Sequence, residues 1–386
     1  MQNAGQQWLV YEQTSSAALL GVFGFASQVP MLLLAWMGGY VGDRYSRHRG
    51  VITTQSFSMV FAFLLAGLTL GHVIQTWQLI AVAFLVGIVN AFDVPIRQSF
   101  FVQMVDDKRD LPNAIALNSS IFNGARIVGP PLAGFAIAYK GAGWCFFFNG
   151  LSFIAVIVAL RMMRIPKSET RRAQESPIRA FAEGFRFAMN DVPIRSALFL
   201  LSTLSLFGLQ YSVFLPIYAR DILHGDAKTF GLLMSAAGIG AFLGALQFAA
   251  RTQYQGLARR IGTTCMVCAL GLLVISQVTS FWLCAVVLFA VGFAATSQMA
   301  ATNTIIQQRV PDEMRSRLMA VYATLFMGVQ PIGALFAGYV AKHMGAPHAL
   351  LLLGALVLMA GVIFFFRVIL RVKPQQPTAA DTVPSA

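Results

Sequence analysis

Eleven stretches of about twenty consecutive, mostly apolar residues run through this chain, and that spacing constrains the fold more than any motif does. They span residues 18–41, 51–71, 77–102, 112–137, 143–162, 196–219, 228–250, 260–279, 281–307, 318–341 and 348–369. A backbone that crosses lipid must satisfy its own hydrogen bonds, and these runs are twice the length of a barrel strand, so each is a spanning α-helix. Across all 386 residues, 57% are hydrophobic and 11% charged, against about a quarter charged in soluble domains. The predicted fold is therefore an all-α membrane bundle. A twelfth run is half present in Gln2–Tyr11 (QNAGQQWLVY), which is too short to span. We expect it to be the end of a helix that begins upstream, in sequence encoded from an earlier start.

The charges fix the orientation. Of the 28 basic residues, 23 fall in alternate loops: around Arg44, Arg47 and Arg49; Arg97, Lys108 and Arg109; the segment 161–195; Arg251 to Arg260; Arg309 to Arg317; and Arg367 to Lys373. The opposite loops hold only Lys140, Arg220, Lys228 and Lys342. Basic residues mark cytoplasmic loops, so the first set lies inside the cell. The formal charge of +13 is thus a record of topology, and it gives no support to a nucleic-acid partner.

The polar stretch 161–195 separates two six-helix halves, 1–160 (with its first helix truncated) and 196–370, and the tail 371–386 has a disordered composition. Within the linker, Ser176-Pro177 reads as a helix start. Ile178, Phe181, Phe185 and Met189 then recur at helical spacing, as in a helix on the membrane surface. The halves repeat weakly at an offset of about 205 residues: GIVNAFDVPIRQSFFVQMV from Gly87 parallels GFAATSQMAATNTIIQQRV from Gly292, and GPPLAG from Gly129 parallels GALFAG from Gly333. A parallel repeat of this kind places a substrate site between the halves.

Enzyme chemistry has no visible centre here. The chain lacks G-x-x-x-x-G-K-[ST], H-E-x-x-H and G-x-S-x-G, so neither ATP nor another cofactor is called for. The five histidines map to loops or span ends. The four cysteines (Cys145, Cys265, Cys268 and Cys284) lie in apolar runs and complete no metal site.

Two motifs carry mechanism. Counting the partial run Gln2–Tyr11 as the first span, Gly39-Tyr-Val-Gly-Asp43-Arg44-Tyr-Ser-Arg47-His-Arg49 follows the second (18–41), and Asn123-Gly-Ala-Arg126-Ile-Val-Gly129-Pro130-Pro131-Leu-Ala-Gly134 lies on the fifth (112–137). Proline removes a backbone hydrogen bond and kinks a helix, while glycine lets neighbours approach. The first motif resembles the cytoplasmic signature loop of the major facilitator superfamily, with Ser46 in place of a glycine. The second resembles its antiporter signature, with Ala133 in place of a glycine. With Phe92-Asp93-Val-Pro95-Ile-Arg97-Gln98 and Asn113 to Asn118 added, the whole chain resembles the branch that holds enterobactin exporters and macrolide efflux proteins.

That resemblance implies a multi-pass protein of the bacterial inner membrane, monomeric, which exports a small amphiphile such as a siderophore or drug by proton antiport. It implies a cytoplasmic gate of Gly39, Asp43, Arg44, Arg47 and Arg97, and a kinked, tightly packed helix at Gly129, Pro130 and Gly134. Asp93 and Arg126 are the expected proton-coupling pair. Arg126 sits near the middle of its span, where an unpaired charge costs at least about 2.5 kcal/mol, and Asp93 is the one acid placed well inside a complete span. Asn90, Asn118, Asn123 and Gln298 are candidates to line the cavity. Lysophospholipid flipping or solute uptake are alternatives on the same fold, as is a non-transporting sensor or scaffold, although a scaffold has no use for Arg126. The topology is checked by alkaline phosphatase fusions: activity is expected after Lys140 and none after Arg171, and the reverse pattern would overturn the orientation.

Overall fold

The computed structural model describes residues 1–44, 46–104, 109–163, 177–250 and 256–366, and no strand occurs among them. The N-terminal half consists of α1 (Gln2–Thr14), α2 (Ala17–Arg44), α3 (Arg47–Leu70), α4 (Thr76–Gln103), α5 (Leu111–Lys140) and α6 (Ala142–Met162). An amphipathic helix, α7 (Pro177–Asn190), comes next. The C-terminal half consists of α8 (Val192–Leu206), α9 (Tyr211–Ile217), α10 (Ala227–Ala249), α11 (Leu257–Ile275), α12 (Phe281–Arg309), α13 (Asp312–Ala323), α14 (Gln330–Met344) and α15 (Ala346–Phe364).

Ten of the described helical stretches are long and apolar enough to cross a membrane. The run 112–137 read from the sequence forms α5, which at 30 residues has the length to cross. Asn113, Asn118, Asn123 and Arg126 dilute its apolar character toward the cytoplasm. Two runs read as single spans are built from pieces. The run 196–219 comprises α8, a 3₁₀ turn at Gly208–Gln210, α9 around Pro216, and a π-helical turn at Tyr218–Ile222. The run 318–341 crosses a π-helical turn at Thr324–Gly328 before Pro331 opens α14. A π turn widens the helix by one residue and is found at functional sites more often than elsewhere.

The internal repeat is visible in the turns. Gly141 between α5 and α6 and Gly345 between α14 and α15 have φ of +86° and +80°, a conformation that an L side chain rarely adopts. Each reverses the chain within one residue at the outer end of its half.

Lipid tails are as apolar as leucine, so no hydrophobic force drives one spanning helix onto another, and close backbone contact has to do so. The halves meet along two such seams. On one, α2 crosses α14: a Cβ built on Gly338 would sit 2.7 Å from the Cα of Gly21, and one on Gly24 would sit 2.9 Å from the Ala334 methyl. On the other, α5 crosses α10: a Cβ on Gly231 would lie 2.7 Å from the Pro130 carbonyl and 3.2 Å from the Cα of Gly134. Gly134 is six residues from the outer end of α5, about 9 Å at helical rise. Both seams therefore join the halves toward the outside. The large apolar side chains that the bundle leaves exposed, such as Phe57, Val60 and Leu64 on one face of α3, are the lipid-facing surface.

Candidate functional site

On the cytoplasmic side of the seams a cavity of about 670 Å³ lies between the halves. Its walls come from α1, α2, α3, α4 and α6 of one half, with Met327 and Gln330 of the other. Much of the polar lining is primary amide: Gln2, Asn3 and Gln6 from α1, Gln28 from α2, Gln55 from α3, Asn90 from α4, Asn149 from α6, and Gln330. Phe23, Met31, Phe153 and Met327 supply apolar surface between them. Hydrogen bonds hold several of the amides: Asn149 Nδ2 donates to Gln2 Oε1 at 2.9 Å, and Gln6 Nε2 donates to the Leu79 carbonyl at 3.2 Å.

Asp93 sits in the wall of this cavity, about 15 Å along α4 from Gln103 at the cytoplasmic end. It is 5% exposed. A buried carboxylate needs partners for both oxygens, and the partners are present. Arg97 Nε lies 3.1 Å from Oδ2, one helical turn along α4. The Thr54 hydroxyl lies 2.6 Å from Oδ1, and Gln55 Nε2 donates to the same oxygen at 3.0 Å, both from α3. Pro95 falls between the two charged residues and has no N–H for the Ala91 carbonyl, which loosens the helix at the ion pair. The Arg97 side chain is 52% exposed, so it bridges the carboxylate and the open cavity.

The sequence expectations fall out unevenly. Asn90, Asp93 and Arg97 share this cavity, although Arg97 was read from the sequence as part of the gate. Asn118 is exposed on α5 and is not among the cavity's lining residues. Gln298 is fully buried within α12, with neither amide atom hydrogen-bonded in the described structure. Gly134 makes the close crossing already described, whereas a Cβ on Gly129 would meet open space. Arg47 begins α3. The side chains of Asp43, Arg44, Asn123 and Arg126, and the packing at Gly39, lie outside the described residues, and with them the expected Asp93–Arg126 pair. Thr54 and Gln55 were not found from the sequence, since nothing in the run Thr53-Thr54-Gln55-Ser56 marks which of them faces a carboxylate.

At the outer end the halves are clasped. The Tyr11 hydroxyl donates to Asp221 Oδ2, which the π-helical turn presents. Arg220 Nη1 reaches the carbonyls of Tyr11 and Glu12 at 3.4 and 3.3 Å, and the guanidinium lies 5.9 Å from the Tyr11 ring centre. Below the clasp, Gln7 Nε2 donates to the Ser212 carbonyl at 2.7 Å and Trp8 stacks on Phe230 at 5.8 Å. Among the described residues, the ion pairs Arg317–Glu183 and Arg309–Asp191 join elements within the C-terminal half and its preceding helix. The halves are therefore joined at this end of the bundle. Removing the charge-assisted bond with Tyr11→Phe should cost about 1 kcal/mol, a roughly fivefold shift toward the outward-open arrangement. Spin labels at the outer ends of α1 and α9 should read it as a longer-distance population, and an unchanged distribution would show that the clasp does not hold the halves.

The whole chain has relatives. Residues 1–385 match the family profile described as transmembrane secretion effector. The staphyloferrin A transporter of Staphylococcus aureus is 24% identical over 371 residues, covering 94% of this chain and 90% of that protein. The multidrug efflux pump Tap of Mycolicibacterium fortuitum is 24% identical over 368 residues, covering 93% and 89%. Among solved structures, the nucleoside transporter NupG aligns with a TM-score of 0.70 at 14% identity, covering 96% of this chain and 98% of that one. A bacterial homologue of the human lysosomal transporter Spinster, in an inward-facing and unoccupied conformation, aligns with a TM-score of 0.70 at 15% identity, covering 95% and 93%.

Proposed function

The chain belongs to the transmembrane secretion effector family of major-facilitator transporters, and from that membership we propose that it is a secondary active exporter of a small amphiphilic molecule across the bacterial inner membrane, driven by proton antiport through Asp93. The carrying observation is the buried carboxylate in the cavity wall, held by Arg97, Thr54 and Gln55. The mixed lining of amides and aromatic or thioether side chains suits a ligand with both hydrogen-bonding and apolar surface, as siderophores and macrolide-like drugs have. The two relatives are named for staphyloferrin A transport and for multidrug efflux, which supports this reading.

The coupling follows from what the proton does. Ionised Asp93 accepts from three donors. Protonation removes the attraction for Arg97 and leaves the guanidinium to the cavity. Antiport requires proton and substrate to exclude one another. A substrate whose hydroxyl, amide or ammonium group donates to the carboxylate meets that requirement, because a proton on Asp93 removes the charge and turns one of the two acceptor oxygens into a donor. A substrate held by Arg97 alone would do the opposite: it would draw the guanidinium off Asp93 and raise the proton affinity of the carboxylate, which is the sign of co-transport. Export by antiport therefore assigns the substrate a donor group directed at Asp93. Arg126, if it joins this network in another state of the cycle, adds a second cation to the same competition.

The test is accumulation of staphyloferrin A and of a macrolide in cells that lack the gene, with and without it restored, and with and without a protonophore. The restored cells should accumulate less of at least one, and the protonophore should abolish the difference. Asp93→Asn should insert normally and lose proton-driven efflux by about tenfold or more, the factor that about 1.4 kcal/mol represents, while still exchanging substrate down its gradient. Full proton-driven efflux by Asp93→Asn would refute the role given to this residue.

A further inference from the structure

A second cavity, of about 580 Å³, lies on the outer face of the N-terminal half between α3 and α4. Its walls are apolar, with Phe57 and Phe61 facing Leu85, Ile88 and Phe92. Phe57 and Leu85 are 53% and 40% exposed, so the groove opens sideways toward the bilayer and not into the space between the halves. Its cytoplasmic mouth is polar, with Ser46, Arg49 and Thr53. Arg49 is exposed and has no ion-pair partner among the described residues. From Arg49 to Phe61 is about 18 Å along α3 at helical rise, close to the roughly 15 Å depth of one hydrocarbon leaflet.

We propose that this groove is a binding site for an anionic phospholipid of the cytoplasmic leaflet, with its phosphate at Arg49 and one acyl chain between α3 and α4. The charge at the mouth, the apolar walls and the match of groove length to leaflet depth commit it to a lipid, since a free phosphate would use the mouth and leave the walls empty. Basic pockets between spanning helices on the cytoplasmic side bind acidic headgroups in this way. The groove has a second neighbour. Thr54 lies in its floor, and the Thr54 hydroxyl is 2.6 Å from Asp93. An acyl chain seated there closes the bilayer side of the carboxylate network and leaves the central cavity as its route to water. The proposal does not rest on the substrate or the coupling assigned above.

The purified full-length protein is titrated with phosphatidylglycerol, phosphatidylcholine or inorganic phosphate and read by native mass spectrometry. Phosphatidylglycerol should be retained in preference to phosphatidylcholine, and phosphate should not be retained. Arg49→Gln should reduce phosphatidylglycerol retention about fivefold, the factor for one basic residue at a membrane surface. Ile88→Trp, which fills the groove and leaves the charge, should reduce it as well. Arg259→Gln, an equal loss of charge at another exposed cytoplasmic position, should leave it unchanged. Equal retention of the two lipids, equal loss on Arg259→Gln, or retention of phosphate in place of lipid would each overturn the site.

Discussion

Helices in lipid are held to one another by how closely their backbones can pass, and this protein concentrates that contact where its halves meet. At the α2–α14 and α5–α10 crossings the side chains are reduced to glycine, alanine and proline, so that one helix rests on the other's main chain. These crossings lie toward the outer end of the bundle. Everything on their cytoplasmic side can then part, and the cavity of about 670 Å³ is the space that parting leaves. On α5, Gly134 and Pro130 face Gly231 across the seam, and any rocking of one half on the other would pass through that contact. The Tyr11–Asp221 clasp rests on the same crossings and adds a polar bond that water can replace when it opens.

Within the cavity the decisive residue is a carboxylate that the bilayer would otherwise reject. Asp93 is tolerated because a cation one turn away and two donors from α3 satisfy it. The same arrangement makes it responsive, since the cation is half-exposed and can move toward the cavity. In the proposed cycle a proton, a donor on the substrate and Arg97 compete for two oxygens. The sign of that competition separates an exporter from a co-transporter, and it depends on which atom of the substrate reaches which member of the pair.

The fold was largely legible because the bilayer demands helices of known length, and the basic residues mark which loops stay inside. Departures occurred where a span is built from pieces, as at Gly208–Gln210 and the two π-helical turns; apolar composition carries no information about hydrogen-bond register. Asp93 stood out as an acid in an apolar helix. Its partners did not. Arg97 was visible at i+4 but read as part of the gate, because a motif assigned it there before geometry could. Thr54 and Gln55 are ordinary helix residues until α3 is placed against α4. The amides of α1 cluster at its start while Asn149 of α6 and Gln330 of α14 stand singly in apolar runs, and only the closed bundle gathers them around one space. The clasp joins residues 210 positions apart, a distance over which sequence pattern says nothing.

The central claim is that a proton and the exported molecule exclude each other at Asp93. Proton exchange on substrate binding measures this directly, in weakly buffered detergent solution with a pH indicator, using whichever compound the cell assay identifies. Antiport predicts that binding releases protons, and that Asp93→Asn abolishes the release while binding persists. Proton uptake on binding would contradict the account and make the protein a co-transporter.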